Sequence, residues 1–168
     1  SRMGGRSALE GTLLPWLHGR GLEDIDGLVV SHLDARHAGG TRAAMAGLRP
    51  RWWMMPMNPR LLGLEAASAG FVPCLAGQTV PWGQAIIEVL NPSALASTPN
   101  AAKQDRQSCV IRVRSPAGSV LLPGDLPATA EAALVEAQGE RLAADVLVLP
   151  QDGSRKGSGD RLLDAVSP

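Results

Sequence analysis

Three apolar runs punctuate the chain, and each empties into a polar loop that contains glycine. The runs are residues 27–31, 119–122 and 145–149, and the loops after them are 32–40, 123–125 and 150–154. Runs without polar alternation suit strands buried on both faces. Polar residues at their carboxyl ends stand where open α/β sheets hold ligands. Between these runs the pattern changes to helical spacing. Residues 9–19 predict a helix before the first strand, and Thr41 is placed to cap one running to about Gly47. Residues 59–68 and 127–138 each open on a proline, which suits a first helical turn, and 160–166 predict a last helix. Residues 84–90 and 108–114 read as further strands. Ser115-Pro116-Ala117-Gly118 is a turn, which makes 108–122 a hairpin. Residues 91–107, rich in Pro, Ser, Ala and Asn, form a long loop, and no internal repeat is present.

This alternation predicts an α/β fold. At 168 residues the natural count is one domain, long enough to bury a sizeable core. Phe71 and four tryptophans are the only aromatics, so Leu, Val, Ala and Ile must build that core. Sixteen Lys and Arg balance sixteen Asp and Glu, so global charge does not call for a polyanionic partner. The balance is local, however. Residues 35–64 hold five arginines and no acid until Glu65, which is either a solvated face or a surface that meets phosphate. The longest apolar runs, 52–57 and 146–150, are strand-sized and too short for a bilayer. Ser1-Arg2-Met3 lacks a signal-peptide core and reads as an expression remnant or an interior cut. Cys74 and Cys109 are too few for a disulfide scaffold and badly spaced for zinc, which leaves two buried small hydrophobes or a single bridge.

The chemistry concentrates in His32-x-Asp34-x-x-His37. Two of the three histidines sit five residues apart at one strand end, with a carboxylate between them. Such a loop can converge on one cation of the Zn, Fe or Mn kind. Asp125, behind the small Gly124, could add an oxygen ligand from a second strand end. As a bare spacing this is a weak signal, since a polar loop with incidental histidines reads the same way.

The order of the blocks adds to it. Val29-Val30-Ser31-His32-x-Asp34-x-x-His37-x-Gly39-Gly40 is followed by Ser108-Cys109-Val110-Ile111 and Leu121-Leu122-x-Gly124-Asp125. Asp145-Val146-Leu147-x-x-Pro150-x-x-Gly153-Ser154 comes last. In that order the chain resembles the metallo-β-lactamase-like domain of the ComEC family of DNA-internalization competence proteins, over about residues 12–168. Leu14-Pro15-Trp16-Leu17, Cys74-x-x-Gly77 and Trp82 share the likeness.

The resemblance implies an αββα sandwich of two mixed β-sheets, incomplete at both ends, within a larger bacterial inner-membrane protein. It implies that this domain lies on the extracytoplasmic side. Single-stranded DNA and a membrane channel domain of the same polypeptide would be its partners. It implies a divalent metal, Zn or Mn, and no small-molecule cofactor. His32, Asp34, His37, Asp125 and Asp152 would be metal ligands, with Asp34 and Asp125 catalytic and Arg36 and Ser154 facing substrate. Cys74 and Cys109 stand at usual cysteine positions, so a bridge and a pair of thiols both remain open.

The departures from the family pattern are specific. Arg36 stands where a second motif aspartate is usual, and a guanidinium cannot ligate a cation. Gln151 and Asp152 occupy the positions of a histidine pair, and Asp105-Arg106-Gln107 replaces an Asn-rich stretch. The expectation is therefore one ion at most, or none. Three readings follow: a metal-dependent phosphodiesterase acting on the DNA strand that is not transported, a non-catalytic DNA-binding or scaffolding domain, and a hydrolase of another substrate on the same fold.

Overall fold

A computed structural model describes residues 2–3, 6–7, 9–32, 40–62, 70–94, 105–154 and 157–168. Its first elements are a small antiparallel pair, β1 (Arg2–Met3) and β2 (Arg6–Ser7). A widened turn over Leu9–Leu13 leads into α1 (Leu14–His18), whose Pro15 lies in the first turn. There follow β3 (Gly27–Val29), α2 (Thr41–Leu48), β4 (Trp52–Met55) and β5 (Phe71–Pro73). The chain continues through β6 (Thr79–Trp82), β7 (Ala85–Asn91), β8 (Val110–Ser115) and β9 (Gly118–Leu122). It closes with α3 (Ala128–Gln138), β10 (Val146–Leu147) and α4 (Asp160–Val166).

Two sheets carry the architecture. One runs β3-β4-β5 and is parallel in each described pairing; the other runs β10-β9-β8-β7-β6 and is mixed, with β10 parallel to β9 and the rest antiparallel. The two-residue side-chain period sorts the layers. Met54 of β4 enters an apolar cluster with Ile87, Val89 and Ile111 of the larger sheet. Its neighbours Trp53 and Met55 turn the other way, to Val30, Phe71 and Met45 of α2. On the far face of the larger sheet Leu90, Val110 and Leu121 pack against Leu134, Leu162 and Val166 of α3 and α4. The order is helix, sheet, sheet, helix, the αββα sandwich expected from the sequence.

Several contacts hold these layers in register. Gly27 must lack a side chain, because a Cβ there would come within 2.0 Å of the Trp52 ring. Cys74, just past β5, and Cys109, just before β8, form a disulfide that joins the two sheets. Glu131, buried in α3, accepts from the backbone N–H groups of Ser158 and Gly159 and so caps the start of α4. Glu88 of β7 accepts from Arg112 and Arg114 of β8. Burial raises the Glu88 carboxyl, but those two guanidinium groups outweigh it and hold the pKa below its ordinary value. Asp145 fixes β10 to β9 by accepting from both the Ser119 hydroxyl and the Ser119 N–H, which lowers its pKa.

Some sequence expectations need correction. Thr41 is the first residue of α2 rather than its cap; Gly40 takes that place. The segment from Leu9 is α-helical only from Leu14. Pro59–Leu62 is a single tight 3-10 turn, and residues 63–69 lie outside the described residues. The last apolar run is a strand only at Val146–Leu147.

Candidate functional site

The site grows from the place where the two sheets come together at one edge. Val30 prolongs β3 by donating to the Met54 carbonyl at 2.9 Å, and the Ser31 carbonyl then accepts from Cys109 N–H at 2.6 Å. That bond carries the end of the small sheet onto the large one. His32 follows with a fully buried side chain. Its Nδ1 lies 3.0 Å from the Ser31 hydroxyl and its Nε2 lies 3.3 Å from Asp125 Oδ2. Asp125 arrives from β9 through Pro123 and Gly124. Gly124 has φ of +61°, and a Cβ on it would sit 3.0 Å from the Ser31 Cβ and 3.4 Å from that of Ser108. Glycine is thus required both for the left-handed turn and for the close approach that brings Asp125 against His32.

The loop after β10 meets the same place. Gln151 and Asp152, with φ of 55° and 53°, and Gly153, with φ of 73°, are three successive left-handed residues. Such a conformation costs a non-glycine residue about 1–2 kcal/mol. Gln151 offsets this with a strut: its side-chain amide donates to the Asp125 carbonyl, and its backbone N–H reaches the Gly124 carbonyl at 3.4 Å. Asp152 is exposed and lines a cavity of about 250 Å³ together with Ser31 and Asp125, while Val148 and Leu149 form one wall. Ser154 is exposed, and its N–H donates to the Gln151 carbonyl at 2.9 Å. Thus His32, Asp125 and Asp152 gather at one edge, and Ser154 lies just beyond. Asp34, Arg36 and His37 lie outside the described residues.

Whether a divalent ion suits this edge can be judged from the donors. Two ligands of a tetrahedral ion with bonds of about 2.0–2.1 Å stand roughly 3.3 Å apart. The His32 Nε2 to Asp125 Oδ2 separation of 3.3 Å matches that, and it is equally a direct imidazole–carboxylate contact. These two residues fit a shared ion. Gln151 is a poorer candidate, because its amide is oriented by the bond it donates to the Asp125 carbonyl and a neutral amide oxygen binds such an ion more weakly than imidazole or carboxylate. Among the described residues no group of three His, Cys, Asp or Glu side chains converges.

The pattern of the sequence singled out His32 and Asp125 but missed Ser31 and the Val148–Leu149 wall. Ser31 had a signal, since a hydroxyl next to a candidate imidazole is a natural hydrogen-bond partner. The wall had none, since its residues read as ordinary strand core.

No family model matches the chain. It is similar to the competence protein ComA of Neisseria gonorrhoeae, with 33% identity over 162 residues, 96% of this chain and 22% of that protein. This supports a competence-protein family. The chain is also similar to the uncharacterized protein YcaI of Escherichia coli strain K12, with 26% identity over 155 residues, 92% of this chain and 19% of that protein. It therefore spans about a fifth of the length of these curated relatives. Among its described residues no helix is long and apolar enough to cross a membrane.

Proposed function

We propose that this chain is the metallo-β-lactamase-like domain of a DNA-uptake protein, and that it handles single-stranded DNA through an edge whose metal centre is reduced to one ion at most. The likeness to a competence protein supports the DNA-uptake setting. In this reading the chain is one domain of a longer inner-membrane polypeptide, faces the extracytoplasmic side, and works beside a channel domain of the same polypeptide.

The observation that carries the reduced metal centre is the Gln151 strut. One of the two loop positions that the resemblance assigns to a histidine pair is spent on holding the Asp125 backbone. His32 and Asp125 would hold an ion between them, joined by Asp34 and His37 as the resemblance implies. When bound, such an ion lowers the pKa of water and polarises a phosphoryl oxygen. His32 is kept in place by its contacts to Ser31 and Asp125, and the tight Gly124 turn holds Asp125. Arg36 would add a fixed positive charge where a second ligand is usual, which favours phosphate binding over a second ion. This combination binds DNA and cleaves it slowly or not at all, so a non-catalytic DNA-binding or scaffolding role is the second reading, and Arg36 and Gln151 favour it.

The test combines metal stoichiometry with cleavage of single-stranded DNA for the wild type, Arg36→Asp, and a triple variant that adds Gln151→His and Asp152→His. The wild type should bind at most one ion, weakly. Arg36→Asp should raise metal affinity, and the triple variant should gain more activity than the single change, since residues of one site are not additive. A wild type that binds two ions and cleaves as fast as the triple variant refutes the proposal.

A further inference from the structure

We infer that the Ser31 hydroxyl is a positioning group for His32. It accepts the imidazole proton when an ion takes the other ring nitrogen, and donates to the ring when no ion is bound. This rests on the one-ion reading above. A neutral imidazole carries one N–H and one lone pair, so a proton on one nitrogen leaves the other able to ligate. Ser31 Oγ lies 3.0 Å from Nδ1, and Asp125 Oδ2 lies 3.3 Å from Nε2. Nε2 is therefore the nitrogen that can share an ion with Asp125. The proton must then sit on Nδ1, where the Ser31 oxygen accepts it.

Without an ion the preference reverses. A lone pair on Nε2 would oppose the lone pairs of the Asp125 oxygen at 3.3 Å, whatever else that carboxyl contacts. The proton then belongs on Nε2, and Nδ1 needs a donor. The ring cannot turn to find one, because the His32 side chain is fully buried and protein interiors are close-packed. The serine is fixed as well. Its carbonyl accepts from Cys109 N–H at 2.6 Å, and the Gly124 turn lies against its Cβ. What stays mobile is the hydroxyl hydrogen. A hydroxyl is both donor and acceptor and rotates to suit, so Ser31 serves either tautomer with the heavy atoms in place. A carboxylate or backbone carbonyl, a common partner of a metal-ligating histidine, only accepts and would hold the proton on Nδ1 throughout. Here one proton leaves Nε2 and one arrives at Nδ1 as the ion binds, and the charge of the ring is unchanged.

Imidazole nitrogen chemical shifts, measured on the intact chain in EDTA and then with added zinc, read the tautomer directly. The signals lost in His32→Gln identify the ring. The wild type should carry its proton on Nε2 in EDTA and on Nδ1 with zinc. Ser31→Ala removes the partner of both tautomers. Its zinc affinity should fall about tenfold, the low end for loss of such a partner, because the metal-free ring loses a bond too. Ser31→Thr keeps the hydroxyl and should recover most of that affinity. Ser31→Val, of the same shape without the hydroxyl, should stay as weak as Ser31→Ala. The inference is overturned by one tautomer in both conditions, by a ring protonated on both nitrogens in EDTA, by Ser31→Ala matching the wild type, or by Thr and Val variants of equal affinity. Each of these leaves the one-ion reading standing. If zinc does not bind the wild type, that reading and the inference fall together.

Discussion

Opening the Cys74–Cys109 bridge should cost this protein about 4 kcal/mol. The bridge closes 35 residues, and in the chain-entropy account a loop of that length removes about 4 kcal/mol of freedom from the unfolded state. For a chain of 168 residues, each kcal/mol moves the melting temperature by roughly 2–4 °C. The reduced protein should therefore melt about 10 °C below the oxidised one. The effect should also reach the site, because the Cys109 N–H holds the Ser31 carbonyl next to His32. Below both melting points, the reduced protein should bind single-stranded DNA more weakly. Circular dichroism melts give the first measurement, on protein reduced while unfolded and then refolded with its thiols blocked, against the oxidised form. Anisotropy gives the second. Melting temperatures within about 2 °C of each other would refute the reasoning, since the bridge would then constrain nothing that the two packed sheets do not already hold.

Three further outcomes follow from the geometry. Gly124→Ala should destabilise by about 2 kcal/mol or more, because left-handed strain adds to the clash with Ser31; Gly21→Ala, with positive φ and open space around it, should lose only about 1 kcal/mol, and equal melting shifts would refute the clash. Because the folded-state pKa of Glu88 is depressed, its contribution is full above the ordinary glutamate range and is lost as pH falls through the folded value. Glu88→Gln should cost about 1.5–3 kcal/mol at neutral pH and flatten that part of the acid limb in urea titrations. Gln151→Asn tolerates the left-handed backbone but is one methylene too short for the Asp125 carbonyl, so it should lose about 1 kcal/mol in chemical denaturation.

Much of the fold was legible because its longer elements repeat one arrangement. Residues 160–166, 127–138 and the hairpin through Ser115-Pro116-Ala117-Gly118 fall where apolar spacing, prolines and the turn placed them. The strands that escaped notice are short and interrupted. Phe71–Pro73 ends on a proline and Thr79–Trp82 contains one, which normally argues against a strand. Both succeed because they are edges: among the described residues β5 pairs with β4 alone and β6 with β7 alone, so a missing N–H can face outward. Trp52–Met55 looked like an undivided apolar run, because alternation between two buried faces leaves no polar residue to mark the period. The third run shortened to Val146–Leu147 because the side chain and backbone of Asp145 are engaged with Ser119 at its start, a contact between residues 26 apart.

The candidate site was legible in its residue types and opaque in their duties. His32 and Asp125 declared themselves by chemistry, and the structure places them 3.3 Å apart across two sheets. Gln151 looked like a loss, a ligand position filled by a poor ligand. In the folded chain it has a different employment, donating to the Asp125 backbone from a left-handed loop that an ordinary residue occupies only at a cost. That distinction separates decay from refitting. A site that had simply decayed would gain nothing from the glutamine, and exchanging it for histidine would be neutral for stability. A refitted site resists the exchange, because the histidine gives up the bond that fixes Asp125 before any ion is available to replace it. The metal-free Gln151→His protein should therefore be less stable than the wild type, and added metal should recover the difference by binding only the folded state.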